Sequence, residues 1–511
     1  MSTTVTLSRN SNQALGIGQY AIDFLAGRLG AGPSKAVLER TKLFHTDSVL
    51  CGISALALGA NAPTLLRREA LDYPDAGGAA VFGSSERVKA EKAIVANSAA
   101  VREWDSNGTN FGYNPALGHM AGEFGHNDFY PVAIAAGQQR GLDGATTLRA
   151  MVCLDEIRGR LAEVFALKNY KIDHVVHGAI ASAAVYGALM GATAEQIESA
   201  IGMTVAHYIP WRAIRAGKQL SDSKGASAAI SAEAAILSMK RSLAGFVGPK
   251  DIFRNPEALF RQFETTGGDS PFDLVLSHSG DDFAVMGMHF KLGLYEHQSA
   301  GALQGVIDLL AAHPDLARKG VIRKVLIKAY EPAFGIIGDP AKRDPRTRQS
   351  ADHSMVFIVG RLLSKAASFS LNLPSDSNGL WKRLMLSPYD YSTEAISDPQ
   401  TRALMELIQF EHGGPEFDRR YPEGIPTSVE ITDREGKTYD SGLVMFPAGH
   451  ARNTTADLDG ILSRKFEMLG SIGLAGASGV VDRLQRLDRV DAAGLQELYD
   501  FDIELQGPER L

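Results

Sequence analysis

The strongest constraint on this chain is a series of alanine- and glycine-rich runs in its first half, such as DHVVHGAIASAAVYGALMG from Asp173 and SDSKGASAAISAEAA from Ser221. Each combines helical patterning with short flanking turns. Small side chains let helix backbones approach closely, so the runs predict a compact helical bundle. The clearest helices are expected near Ala36 to Leu58, Leu142 to Leu167, Ile180 to Met190, Ala194 to Ala206 and Lys224 to Ser242. An amphipathic helix carrying Leu15, Ile17, Tyr20, Ile22, Phe24 and Leu25 precedes them. Sustained heptads are absent, which argues against a coiled coil, and no fixed-period repeat points to a solenoid.

The pattern changes after about Gly268, where GGDSPFDLVLSHSGDD reads as an irregular connection. Beyond it, Val321 to Ala329 alternates like a strand, and Val429 to Phe446 reads as a hairpin. Helical patterns at Ser299 to Ala312 and Ser350 to Ala367 accompany those strands, and after Gly449 and His450 the chain returns to helix. The expected fold is therefore mostly α with an α+β insertion. Residues 1–275 would begin a large helical domain, 276–447 would form a smaller α+β lid, and 448–511 would return to the helical domain.

A chain of 511 residues exceeds one ordinary core, and 45% hydrophobic with 22% charged residues is the balance of a globular protein rather than a disordered one. A net charge of -7 argues against a nucleic-acid partner or a basic membrane-binding surface. Cys51 and Cys153 can make at most one disulfide and cannot hold an iron–sulfur cluster. The first residues lack a secretory pattern, and no window of about 18 apolar residues suggests a membrane span. The expected setting is the cytoplasm, without membrane or nucleic acid.

Four basic side chains stand at inferred starts of small-residue helices: His126 in GHNDFYPVAIAAG, His174, Lys224, and His297 in YEHQSAGALQGVIDLL. A cation there opposes the helix dipole at a cost of a few tenths to about 1 kcal/mol, unless an anion reverses the sign. The same field and desolvation lower the pKa of histidine and lysine, which suits general acid–base chemistry near neutrality. Any one of these residues, taken alone, is more often an ordinary turn residue. Asp105 in REWDSNGTNFGYN, with Thr109 four positions later, offers a base and an orienting hydroxyl on one loop, although a capping aspartate looks the same in sequence. Arg212 and Arg215 could grip substrate carboxylates or face solvent. His174 and His177 have no metal-ligand partner at suitable spacing, and the dinucleotide-like GIGQYA lacks a preceding strand, so no metal or cofactor is expected.

The stretches around His174 and from Ile322 to Leu363, IRKVLIKAYEPAFGIIGDPAKRDPRTRQSADHSMVFIVGRLL, resemble the MmgE/PrpD family, and the likeness extends over roughly Ala14 to Leu469. The resemblance implies a helical domain with an α+β lid, an active site in the cleft between them, a homodimer, and neither metal nor organic cofactor. It places the family's loop aspartate and threonine on Asp105 and Thr109, its histidines on His126, His174 and His297, and its lysine on Lys224. His119 competes with His126, and a lid tyrosine used in some relatives has only Tyr330 nearby. Ser106, Asn107 and Gly108 stand where many relatives carry further acidic residues, and Val175 and Gln298 follow the histidines where decarboxylase-like relatives have proline.

The activity so implied is that of a cofactor-independent lyase acting on a small di- or tricarboxylate. Dehydration of 2-methylcitrate or a similar β-hydroxy acid is favoured. Its course would be proton abstraction beside a carboxylate by Asp105, His126 or His174, with His297 protonating the departing hydroxyl. Lys224, Arg212 and Arg215 would stabilise the developing charge. Epimerisation or isomerisation, cis-aconitate-type decarboxylation, and non-catalytic carboxylate binding are the alternatives.

Overall fold

The computed structural model describes residues 2–215 and 219–507. The chain is mostly helical, with one four-stranded sheet and several two-stranded ladders. At its centre lies the Val175–Leu189 helix, packed against Gln13–Leu25, Tyr130–Arg140, Gly144–Val164, Ala194–His207 and Asp222–Leu243. Helices on every side leave it no polar face, so it lacks the amphipathic stripe of a surface helix. Its small residues are what permit this: a Cβ on Gly178 would lie 2.0 Å from the Phe129 ring, and one on Gly187 would lie 2.6 Å from Met239 Sδ.

Helix starts are set by local capping. Ser34 accepts from the Val37 N–H and Asp143 from the Thr146 N–H, while Thr193 and Gln196 form a reciprocal capping box. The central helix begins at Val175, several residues before the apolar run that marks it in sequence, because His177 and Gly178 break the apolar pattern of its first turn.

The four-stranded sheet has the order Ile408–His412, Ile322–Ala329, Thr427–Asp433, Thr438–Asp440; the first pair is parallel and the others antiparallel. Burial alternates strictly along Thr427–Asp433, and the Ala300–Ala312 helix covers its buried side. The C-terminal Leu458–Gly473 helix packs back on Lys35–Ala57 of the first half. A continuous apolar core joins the helical and sheet-bearing parts.

Three local expectations need correction. The segment after Gly268 contains a strand, Leu274–Ser277, which pairs antiparallel with the N-terminal Thr4–Leu7 and so ties the chain start to the middle. The helix expected from Ser350 to Ala367 is split into Arg348–Ala351 and Met355–Ser368, because Thr347 and Ser354 each cap a separate start. The second arm of the hairpin is only Thr438–Asp440, followed by a single bridge between Val444 and Thr427. Cys51 and Cys153 are buried and unpaired, and among the described residues no single helix is long and apolar enough to cross a membrane.

Candidate active site

The Ala90–Glu103 helix runs into a fully buried loop, Asp105 to Gly108, pinned from several directions. Trp104 Nε1 donates to Ser54 Oγ at 2.9 Å, Ser106 Oγ to the Gly293 carbonyl at 2.8 Å, and Asn107 Nδ2 to Asp128 at 2.6 Å. Lys465, from the C-terminal helix, donates to the Ser106 carbonyl at 2.7 Å and pairs with Asp47 at 2.6 Å, with both side chains fully buried. Gly108 passes so near Phe44 that a Cβ would lie 2.5 Å from the ring. Directly after it, Thr109–Asn110 forms a two-residue ladder with Gly125–His126, which brings Asp105, Thr109 and His126 to one wall.

Asp105 is the hub of a buried ionic cluster. Arg102 lies 3.2 Å away, Lys224 3.5 Å and His353 Nε2 3.3 Å, and Lys291 makes a direct ion pair with it. Asp352 holds Lys224 at 2.9 Å and His353 Nδ1 at 2.7 Å, and Arg348 bridges Asp352 to Glu103. Burial pushes the Asp105 carboxyl up, but Arg102, Lys291 and Lys224 together outweigh it and hold the group well below the usual carboxylate range. Asp105 is therefore an anion that organises cations, and a weak proton acceptor.

The imidazoles are the better acceptors. His174 is the N-cap residue of the central helix and only 5% exposed; among the described residues neither ring nitrogen has a hydrogen-bond partner, and the Asp173 carboxylate lies 3.6 Å from Nδ1. Its ring centre lies 5.2 Å from that of His126. The Arg102 guanidinium donates to His126 Nε2 at 3.3 Å, so that nitrogen's lone pair is already engaged. Burial lowers both histidines well below the ordinary value; neighbouring cations add to the effect, against the opposing pull of Asp173 on His174 and of Asp105 on His126. Both are neutral at pH 7.

These residues line a cleft together with Glu296, Gln298, Ile336, Ile337, Lys342 and His353 from the second half of the chain. Arg212 and Arg215 also line it, with different freedom. Arg215 is clamped on Asp173, whereas Arg212 Nη1 is buried without a partner among the described residues. Glu296 keeps part of its surface open to the cleft, yet protein surrounds it closely enough that burial, reinforced by Asp105, pushes its carboxyl up to about 7.

The sequence-derived candidates thus occupy different places. Asp105, Thr109, His126, His174, Arg212 and Arg215 line the cleft, and Lys224 reaches Asp105 from the first turn of the Asp222–Leu243 helix. His126 is on a short strand four residues ahead of its helix rather than at a helix start, because the Tyr130–Arg140 helix begins only at Tyr130 and Pro131. His119 is elsewhere, paired with Glu163 at 3.1 Å. His297 packs beside Phe111 and His289 with both ring nitrogens unpartnered, and it is not among the residues lining the cleft. Tyr330 is buried against Tyr421 with its hydroxyl unpartnered. Arg102, Lys291, Glu296, Lys342, Arg348, Asp352, His353 and Lys465 are site residues that sequence reasoning did not single out.

Asp105, Asp352 and His353 present ligand atoms within 4.8 Å of one another. The chain already places Arg102, Lys224, Lys291 and Arg348 on those carboxylates, so a divalent ion there would have to displace them.

Residues 23–270 match the family model described as the MmgE/PrpD N-terminal domain. This chain carries an MmgE/PrpD N-terminal domain. It is 25% identical over 409 residues to the mitochondrial 2-methylcitrate dehydratase of Yarrowia lipolytica, covering 75% of this chain and 71% of that protein. Similarity to the 2-methylcitrate dehydratase of Escherichia coli K12 is 23% over 324 residues, 63% of this chain and 62% of that protein. The 2-methylcitrate dehydratase of Salmonella typhi is 24% identical over 455 residues, 85% of this chain and 86% of its own length. The MmgE/PrpD likeness read from the sequence is thus matched by a domain model and by several dehydratase relatives.

Proposed function

We propose that this MmgE/PrpD chain is a lyase that removes water from 2-methylcitrate or a closely similar β-hydroxy polycarboxylate. The observation that carries the reading is His174: a neutral, buried imidazole with neither nitrogen hydrogen-bonded among the described residues and Asp173 3.6 Å from Nδ1, beside an arginine with a free N–H, in a cleft dominated by cations. A carbon acid next to a carboxylate loses its proton only if the growing negative charge is stabilised as it forms. Arg212, Lys342 and the Arg102, Lys224 and Lys291 group supply that field.

In this reading a substrate carboxylate docks on Arg212, and its negative charge raises the basicity of His174, which takes the α-proton. Glu296, whose carboxyl at about 7 is partly protonated at neutral pH, donates to the departing hydroxyl; it lines the cleft with His174, whereas His297 does not. Thr109, whose own hydroxyl proton is given to the Gly125 carbonyl at 2.8 Å, can orient a substrate hydroxyl by accepting from it. The cleft has a volume of only about 50 Å³, enough for a few waters. Admission of a tricarboxylic acid therefore calls for the wall carrying Ile336, Ile337 and Lys342 to swing outward, acting as a lid.

The test is to incubate the purified protein with a panel of β-hydroxy di- and tricarboxylates, 2-methylcitrate among them, and to analyse products by mass spectrometry. Loss of the mass of water from a panel member supports the reading. Release of carbon dioxide, or solvent deuterium uptake without water loss, replaces it with decarboxylation or epimerisation.

A further inference from the structure

Beside the start of the Ile322–Ala329 strand lies a cavity of about 350 Å³ that shares no residue with the cleft. Its lining is mostly apolar. Leu316 and Ile322 come from the approach to that strand, Leu363 from the Met355–Ser368 helix, and Leu404 and Leu407 from the end of the Pro399–Met405 helix and the turn after it. Leu316, Ile322 and Leu363 are buried, and Leu404 and Leu407 are half-buried, so the apolar wall is part of the packed structure rather than a scatter of surface side chains.

The charged residues at this cavity have one sign. Arg318, Lys319 and Arg434 line it, and no aspartate or glutamate does among the described residues, in a chain whose net charge is -7. Arg318 pairs with Asp315 at 2.6 Å in a contact open to solvent, whereas Lys319 and Arg434 make no ion pair among the described residues. The backbone places Arg434 at the rim: its N–H donates to the Val321 carbonyl at 2.9 Å, and its guanidinium lies over Gly320, where a Cβ would sit 3.4 Å from Nη2.

Cavities that take small molecules combine an apolar lining with a few convergent polar groups, at volumes of roughly 300–1,000 Å³. A neutral hydrocarbon would cover the wall and leave the two free cations unused, and a hydrophilic anion would engage the cations and leave the wall open to water. An acid with an alkyl tail satisfies both, since a guanidinium fork matches a carboxylate and the tail buries apolar surface. The volume, at the small end of that range, sets the tail at medium length. We infer that this cavity binds a medium-chain aliphatic carboxylate, with its head on Arg434 and Lys319 and its tail against Leu363, Leu404 and Leu407. The inference does not rest on the chemistry proposed for the cleft.

Calorimetric titration with decanoate below its micelle concentration tests it. The expected result is saturable binding of one decanoate per chain, at least tenfold tighter than decyltrimethylammonium, which has the same tail and the opposite charge. Two variants at exposed positions assign the site without touching the packed wall: Arg434→Glu reverses the rim charge, and Ala403→Trp fills the cavity with an indole. Each should weaken decanoate at least tenfold while leaving the urea midpoint unchanged. Absence of saturable decanoate binding overturns the inference, and so does binding unchanged in both variants. Loss in Ala403→Trp alone would make the cavity a site for apolar chains without recognition of the acid, and loss in Arg434→Glu alone would reduce it to a surface ion contact; either result overturns it. Self-association of the wild type that Ala403→Trp abolishes, read by sedimentation velocity, overturns it as well, because the cavity would then be an interface between copies of the chain.

Discussion

Replacing Asp105 by asparagine tests the ionic cluster most sharply, because the isosteric amide leaves the packing intact and removes one charge. Lys224 keeps Asp352 at 2.9 Å, and Arg102 keeps Asp128 at 3.8 Å. Lys291 has no second carboxylate partner among the described residues, and it is fully buried. Stripping one partner from a buried pair costs about 3–5 kcal/mol. The cost has a ceiling, since Lys291 can lose its proton: shifting a lysine from about 10.4 to neutrality costs about 5 kcal/mol at pH 7. The expected loss is therefore about 3–5 kcal/mol, read as a lower urea midpoint at pH 7 by far-UV circular dichroism. Asp105 is held below its unfolded value, so its contribution is present above about pH 4 and is lost only as pH falls through the depressed folded value. The difference between variant and wild type should accordingly be full at about pH 5 to 7 and shrink toward pH 8, where neutralising the stranded Lys291 costs only about 3 kcal/mol. Adding Lys291→Met to Asp105→Asn should recover most of the loss, because the stranded charge is gone. Asp105→Asn within about 1 kcal/mol of wild type at pH 7, or no recovery in the double variant, would refute the assignment of Asp105 as the counter-ion of Lys291.

Other outcomes follow from the same geometry. His174→Gln should lower kcat about 10²- to 10⁴-fold with little change in KM or thermal midpoint. Because Glu296 must be protonated to act as the acid and titrates at about 7, kcat/KM should fall as pH rises past that value, and the residual activity of Glu296→Gln should lose this limb. Lys465→Met releases the Ser106 carbonyl and strands the buried Asp47, so it should cost about 3–5 kcal/mol in urea denaturation and lower kcat with it; an unchanged urea midpoint would contradict the pairing. Gly178→Ala, which drives a methyl to within 2.0 Å of the Phe129 ring, should cost about 1–3 kcal/mol in urea denaturation, and a neutral result would contradict the packing of the central helix.

Much of the architecture is legible in the sequence because it is written in periodicity. The alanine- and glycine-rich runs mark the central helices, and the alternation of Val321 to Ala329 marks the middle of the sheet. Cation placement at helix starts pointed to His174 and Lys224, which do stand at the N-cap and in the first turn of their helices. His126 reaches the cleft for another reason, a strand pairing two residues long that leaves no periodic trace. Arg102, Lys291, Asp352 and His353 were illegible because a lone charged residue reads as solvated until its partner, up to 186 positions away for Lys291 and Asp105, is known. The local hints were short spacings: Arg102 and Asp105 at i,i+3, Arg348 and Asp352 at i,i+4, and Asp352 beside His353. Glu296 was passed over for its neighbour His297, since one residue decides which of the two faces the cleft and sequence carries no sign of that turn.

The most direct measurement of the central claim follows the ultraviolet absorbance of an unsaturated product while the wild type and His174→Gln are each supplied with 2-methylcitrate. The account predicts steady formation of the unsaturated acid by the wild type and a rate at least 10²-fold lower in the variant. Equal rates in the two proteins, or no unsaturated product from the wild type with this or any related β-hydroxy acid, would contradict it.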